Sequence, residues 1–136
     1  LLTILQPELL KAFPPAFLGR LTVIPYLPLK DSALAFIVEM QLKRVAKRLS
    51  EHHNLMLGYD SSVIDYVVRQ CHVAETGARV LIRFIEQNII PQIGRVLMDS
   101  ARKARLIGVV IKTDAEYLLI EPDFEDDAAE KINDMQ

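Results

Sequence analysis

Tryptophan is absent from the 136 residues, and cysteine occurs once, as Cys71. A single thiol cannot close an internal disulfide, so the chain is no disulfide scaffold, and a reducing compartment, the cytoplasm, is the expected one. No apolar run approaches the ~20 residues of a membrane-spanning helix, and Leu1-Leu2-Thr3 lacks the basic and apolar regions of a secretory leader. No membrane span is therefore expected. The chain also begins without methionine, which leads us to expect a piece of a longer polypeptide.

A strong excess of basic charge is missing too. The formal charge is -2, but residues 121–136 hold seven acids (Glu121, Asp123, Glu125, Asp126, Asp127, Glu130, Asp134) against Lys131. The remainder stands at about +4, from 15 basic and 11 acidic side chains. Dedicated nucleic-acid binders present a clearly basic face, so nucleic acid is not an expected partner.

Chemistry that would make the chain self-sufficient is absent as well. No G-x-x-x-x-G-K-[ST] phosphate loop occurs, and no Ser/His/Asp set or paired-carboxylate dyad stands out. Leu118-Leu119-Ile120-Glu121 resembles the acidic end of a nucleotide-binding strand, but Pro122 and the missing phosphate loop make it a false match. A zinc site from His52, His53, Cys71 and His72 would lack the paired C-x-x-C or H-x-x-x-H spacing, so no metal site is expected and Cys71 is assigned to the core.

What is present is an ordinary globular composition, 51% hydrophobic and 25% charged, enough for one core or a small domain with an appendage. Five of the seven prolines (Pro7, Pro14, Pro15, Pro25, Pro28) fall in the first 30 residues, where long regular structure is not expected. Short helical turns could open at Pro7 and Pro15, Gly19-Arg20 would end the second, and Leu21–Ile24 reads as a short buried strand closed by Pro25 and Pro28.

From Asp31 or Ser32, the expected cap, the spacing of Leu34, Val38, Leu42, Val45 and Leu49 predicts a helix up to His52-His53-Asn54. Its opposite face carries Lys43, Arg44, Lys47 and Arg48, read first as a solvated face and second as a surface for an acidic partner. Leu55–Leu57 is a short strand before Gly58. Asp60 or Ser61 caps a second helix with Val63, Ile64, Val67 and Cys71 inward. A long helix follows, with Ala78, Leu81, Ile82, Ile85 and Ile89 inward, a kink expected near Asn88–Pro91, and continuation through Ile93, Val96 and Leu97 to a basic C-terminus at Arg102, Lys103 and Arg105. Leu106–Ile111 and Glu116–Ile120 read as a hairpin over a four-residue loop.

Two arginines stand in unusual places. Arg79 lies in the opening turn of the long helix, where a cation opposes the helix dipole by a few tenths of a kcal/mol. Either it reaches solvent or Glu75, or dipole and guanidinium converge on an anion such as phosphate. Arg20 follows a Phe-Leu-Gly corner just before the apolar strand. Arginine suits phosphate because its planar fork combines charge with directed donors.

Phe17-Leu18-Gly19-Arg20 before a strand, Leu27-Pro28-Leu29 leading into a helix with Gln41-Leu42, then Gly77-Ala78-Arg79 and a following Pro91, resemble in order the end of the second AAA+ module of Clp-type unfoldases. The resemblance covers nearly the whole chain. Within those families AFPPAFLGRLTVIPYLPL and CHVAETGAR are most similar to the ClpV unfoldases of type VI secretion. ClpB-like chains commonly carry Asn where Gly19 stands, and the segment Val80 to Asn88 departs from the ClpV pattern.

The resemblance implies an α+β fold: over residues 31–120 the AAA+ C-terminal small (lid) domain, helices packed on a small β-sheet, preceded over 1–30 by the end of the large AAA+ subdomain. Residues 121–136 would be an acidic, frayed tail. It implies that Arg20 is an arginine finger offered in trans to the nucleotide of a neighbouring subunit. Gly77, Ala78 and Arg79 would be the sensor-2 turn, facing the nucleotide phosphates of their own subunit. ATP or ADP with magnesium would be held by the parent chain, through a phosphate loop and Walker B acids upstream of Leu1, and these residues alone would hydrolyse none. The implied partners are the neighbouring subunits of a homo-hexamer and a protein substrate, the subunits of contracted secretion sheaths. The alternative is a catalytically inert oligomerisation or adaptor module of the same lid fold, distinguished by whether a phosphate loop precedes Leu1.

Overall fold

Helix α3, Asp31–His53, buries Leu34, Val38, Leu42, Val45 and Leu49, the stripe that the sequence spacing predicts. The computed structural model to which it belongs describes residues 1–71, 77–102, 105–114 and 116–125. The cap expected at Asp31 or Ser32 is instead Lys30, which gives no side-chain bond; Asp31 occupies the first turn, where its charge meets the positive end of the helix. At the other end Asn54 turns left-handed at φ 55 and ψ 37, and its amide donates to the carbonyls of Leu49 and Ser50. Asparagine tolerates that conformation better than other side chains, which fixes the stop at His53. Glu39 and Lys43 pair at 3.1 Å on the exposed face, an interaction of about 0.3 kcal/mol.

After strand β1, Met56–Gly58, helix α4 spans Ser61–Gln70. Asp60 is its N-cap and accepts hydrogen bonds from the Ser62 amide at 3.0 Å and from the Ser62 hydroxyl. Val63, Val67 and Cys71 are buried as expected, whereas Ile64 is half-buried against the core. Tyr66, absent from the expected inner face, is buried because its ring fills the core while its hydroxyl donates to the Glu116 carbonyl at 3.1 Å.

The third helical rod has three parts: α5 (Ala78–Phe84), a π-helical segment (Ile85–Ile89) and α6 (Ile90–Ser100). The interruption expected near Asn88–Pro91 takes the form of this π segment. Proline cannot donate to a carbonyl one turn back, and its ring crowds that carbonyl. The wider register relieves the conflict: the Ile90 amide donates to Ile85, five residues back, and the Asn88 side chain donates to the Phe84 carbonyl at 3.1 Å. Leu81, Ile85, Ile89 and Ile93 are buried, while Ala78 and Ile82 are half-buried. The expected basic C-terminus is corrected: α6 ends at Ser100 with no basic residue in its last turn. Arg105 reaches Glu125 at 3.4 Å instead, and Lys103 lies outside the described residues.

Strands β2 (Leu106–Thr113) and β3 (Leu118–Phe124) form the expected antiparallel hairpin, and β1 adds parallel to β2 in the order β1-β2-β3. Val109 and Ile111 point into the core. The boundary expected at 121 is corrected, because Glu121, Pro122, Asp123 and Phe124 belong to β3. Pro122 sits opposite Val109 on an edge strand, where a missing donor need not break a ladder. Residues 126–136, the rest of the expected tail, lie outside the described residues.

The first 30 residues differ most from expectation. Helix α1 spans Leu2–Ala12 with Pro7 inside it, and the Leu, Gln, Glu, Lys and Ala around that proline are good helix formers. Helix α2, Pro15–Leu18, opens on its proline as expected. The strand expected at Leu21–Ile24 does not form: no ladder partner lies beside it among the described residues, and Leu21 and Ile24 are exposed. Neither α1 nor α2 buries a residue, and every buried apolar side chain among the described residues lies between Leu34 and Ile111. None of the described helices is long and apolar enough to cross a membrane.

Candidate functional site

Gly77 opens α5 in a conformation, φ 68 and ψ -168, that side-chain-bearing residues all but avoid. Among the described residues a Cβ there would meet nothing within 4 Å, and the positive φ by itself favours glycine. Among the described residues no side chain caps this helix, and no acid stands in its first turn. Arg79 follows at the second helical position and is exposed, together with Arg83 and Glu86, while Leu81 and Ile85 anchor the helix in the core. Ala78 is half-buried and brings its backbone amide to the same turn. Glu75, the alternative partner for Arg79, lies outside the described residues. The turn thus joins a guanidinium to amide donors at the positive end of a helix, a combination suited to an anion.

Arg20 is held differently. The Gly19 amide donates to Pro15 at 3.1 Å, the Arg20 amide to Phe17 at 3.1 Å and the Leu21 amide to Leu18 at 3.3 Å. Phe13 stacks on Phe17 with ring centroids 5.6 Å apart. These contacts fix the backbone of the corner and leave the Arg20 side chain exposed. Gly19 itself has φ -67, and a Cβ on it would meet the Pro15 carbonyl at an ordinary 3.6 Å. Nothing in this corner requires glycine there. Arg20 and Arg79 stand on or beside elements with different main packing partners: α2 packs beside α1, whereas α5 packs on α3 and α4.

For the rejected zinc set, Cys71 is only 3% exposed, with its thiol 4.0 Å from the Val80 carbonyl, while His52 and His53 are exposed. Burial raises the thiol pKa, so it is no ready metal ligand. His72 lies outside the described residues, among which no cluster of three or more His, Cys, Asp or Glu side chains is placed to hold a metal. The positive φ of Gly77 is not given by residue types alone. Its one signal is a glycine directly before a helix that has no Ser, Asp or Asn at the capping position.

Residues 29–109 match the family described as the C-terminal, D2-small domain, of ClpB protein. Chaperone protein ClpB of Yersinia enterocolitica is 60% identical over 98 residues, which cover 72% of this chain and 11% of that protein. AAA+ ATPase ClpV1 of Pseudomonas aeruginosa is 36% identical over 110 residues, covering 80% of this chain and 12% of that protein. Chaperone protein ClpB of Chlamydia caviae is 35% identical over 104 residues, 76% of this chain and 12% of its own length. The chain thus spans about a ninth of the length of these relatives. Its helices packed on a three-stranded sheet, and matches from two directions in the Clp group, place it plainly: the chain belongs to the ClpB D2-small domain family, the α+β C-terminal part of an AAA+ module.

Proposed function

We propose that this chain is the lid of an ATP-driven, hexameric protein unfoldase, acting in the cytoplasm, and that it supplies two arginines to nucleotide chemistry completed by other parts of the ring. The observation that carries this reading is Arg79, exposed in the opening turn of α5, beside a glycine whose backbone admits no other residue without strain. A nucleotide phosphate fits that turn: it is anionic, and the turn offers a cation and amide donors without a competing acid in the first turn. In this reading Gly77, Ala78 and Arg79 hold phosphate oxygens of ATP or ADP bound with magnesium in the same subunit. Arg20 is offered to the nucleotide of the neighbouring subunit.

Phosphoryl transfer depends mainly on positioning and charge stabilisation, and one well-aimed arginine can contribute roughly 10³–10⁵ in rate. A lid fixed to one nucleotide and touching the next subunit would turn changes at the phosphates into rigid-body movement, and so into work on a protein substrate. The test is the parent ring carrying Arg79→Ala. Nucleotide affinity and turnover should fall while the circular dichroism of the lid is unchanged. Unaltered nucleotide response, or collapse of the lid, would overturn the assignment.

For the substrate, the ClpV-like strings around Arg20 and Arg79, with 36% identity to a ClpV1 over most of the chain, support disassembly of contracted type VI secretion sheaths. The 60% identity to a protein named ClpB favours a second reading, general protein disaggregation. Purified parent ring offered sheath subunits and heat-aggregated protein in parallel separates the two. The first reading requires stimulation by sheath and not by aggregate.

A further inference from the structure

The last turns of α3 and the first turns of α6 flank a groove of about 280 Å³ that neither nucleotide arginine touches. Its floor is apolar, with Leu49 and Ile93 buried and Leu97 half-buried, and Gly94 leaves one wall bare. A Cβ on Gly94 would meet nothing within 4 Å, so the space there belongs to the groove. The volume lies below the roughly 300–1,000 Å³ of ordinary small-molecule pockets. It suits one large side chain.

The rim decides what kind of chain would bring that side chain. Among the described residues the ionisable groups lining the groove are Arg48, His52 and His53, with no acid. Farther along the exposed face of α3, Lys43 is paired with Glu39 at 3.1 Å and Lys47 with Glu51 at 3.7 Å. Arg44 and Arg48 take part in no ion pair among the described residues. The C-terminus of α3 contributes a partial negative charge, smaller than one guanidinium, and the Leu49 and Ser50 carbonyls there are already taken by the amides of Asn54 and Leu55. Among the described residues the rim therefore carries an excess of positive charge.

We propose that this groove docks an acidic segment of a partner protein, which inserts one bulky aliphatic or aromatic side chain between Leu49, Ile93 and Gly94 and sets its carboxylates against Arg44 and Arg48. The apolar anchor supplies affinity, and the carboxylates supply direction and choice of partner. This proposal is independent of the nucleotide reading.

The test uses the 136-residue chain and an array of synthetic dodecapeptides, each with one Leu, Ile or Phe anchor and from none to six Asp or Glu residues. Binding should rise with the number of acids at a fixed anchor and disappear when the anchor becomes Ala. Gly94→Leu, whose Cβ enters open space among the described residues, fills the groove from its own wall and should weaken binding at least tenfold with no loss of thermal stability. Arg48→Glu should remove the preference for acids and flatten the salt dependence. Three results would each overturn the proposal: no peptide binding, binding that ignores acidity, or binding that survives Gly94→Leu. A fourth is self-association of the wild-type chain, seen in sedimentation and abolished by Gly94→Leu, which would assign the groove to a second copy.

Discussion

A Cβ built on Gly108 would stand 2.8 Å from the carbonyl oxygen of Met56, its neighbour across the parallel β1–β2 pairing. That oxygen is backbone, and the strand carrying it is held by its own ladder, so the contact cannot be relieved by a side-chain rotation. Gly108→Ala should destabilise the domain by about 1–3 kcal/mol, the usual cost of forcing atoms into a packed position. Urea denaturation followed by circular dichroism measures this. An unchanged midpoint would mean that β1 yields freely.

Gly77 should be equally intolerant for a different reason. No described residue crowds it, but φ 68 with ψ -168 is a glycine-only region. Gly77→Ala should cost about 1–3 kcal/mol, or shift the start of α5 and with it Arg79. Nuclear magnetic resonance chemical shifts of residues 78–81, with a urea midpoint, distinguish the two. If neither changes, the entry to α5 is freer than the structure indicates.

Asp60 gives the domain a pH dependence of known sign. Its hydrogen bond from the Ser62 hydroxyl, helped by the amides of Ser62 and Val63, holds the carboxyl pKa below 3.8 against a smaller opposing effect of desolvation. A carboxylate depressed in the folded state stabilises fully above its ordinary pKa, and that contribution is lost as pH falls through the lower folded value. Asp60→Asn keeps the capping oxygen and removes the titration. Wild type should therefore lose more stability than Asp60→Asn between about pH 5 and the acid limb below pH 3.8. Parallel loss in both proteins would remove Asp60 as the cause.

The core was legible where one periodicity runs undisturbed. In α3 the buried positions Leu34, Val38, Leu42, Val45 and Leu49 mix steps of four and three, which keeps them on one side of a 3.6-residue helix. Leu81, Ile85, Ile89 and Ile93 step by four every time. In an ordinary helix each such step overshoots by about 40°, so the stripe would drift by roughly 120°. The extra residue in the π turn cancels most of that drift, about 100° of it, and the uniform spacing was the sign of it.

Elsewhere the missing information was tertiary. Glu121–Phe124 look like the start of an acidic tail until Leu106–Val110 pair with them. Leu21–Ile24 look like a strand but have no ladder partner among the described residues. Arg79 and Arg20 could be picked out because a cation in a first helical turn and an arginine in a proline-bounded corner are local anomalies. The strained entry at Gly77 is a matter of φ and ψ, which residue types alone do not fix.

Arg20 provides the most direct test of the proposed ring. Its side chain is exposed on a segment that buries nothing in the lid, so Arg20→Ala should leave stability within about 0.5 kcal/mol and nucleotide binding intact. The measurement is ATP turnover in rings of wild-type parent subunits doped with Arg20→Ala subunits together with subunits inactivated at the phosphate loop. Arg20 acting across the interface predicts that a subunit with an intact phosphate loop falls silent when its neighbour lacks the arginine, so turnover drops faster than the count of intact loops. Turnover that tracks only the number of intact loops, whatever residue the neighbour carries at position 20, would contradict it.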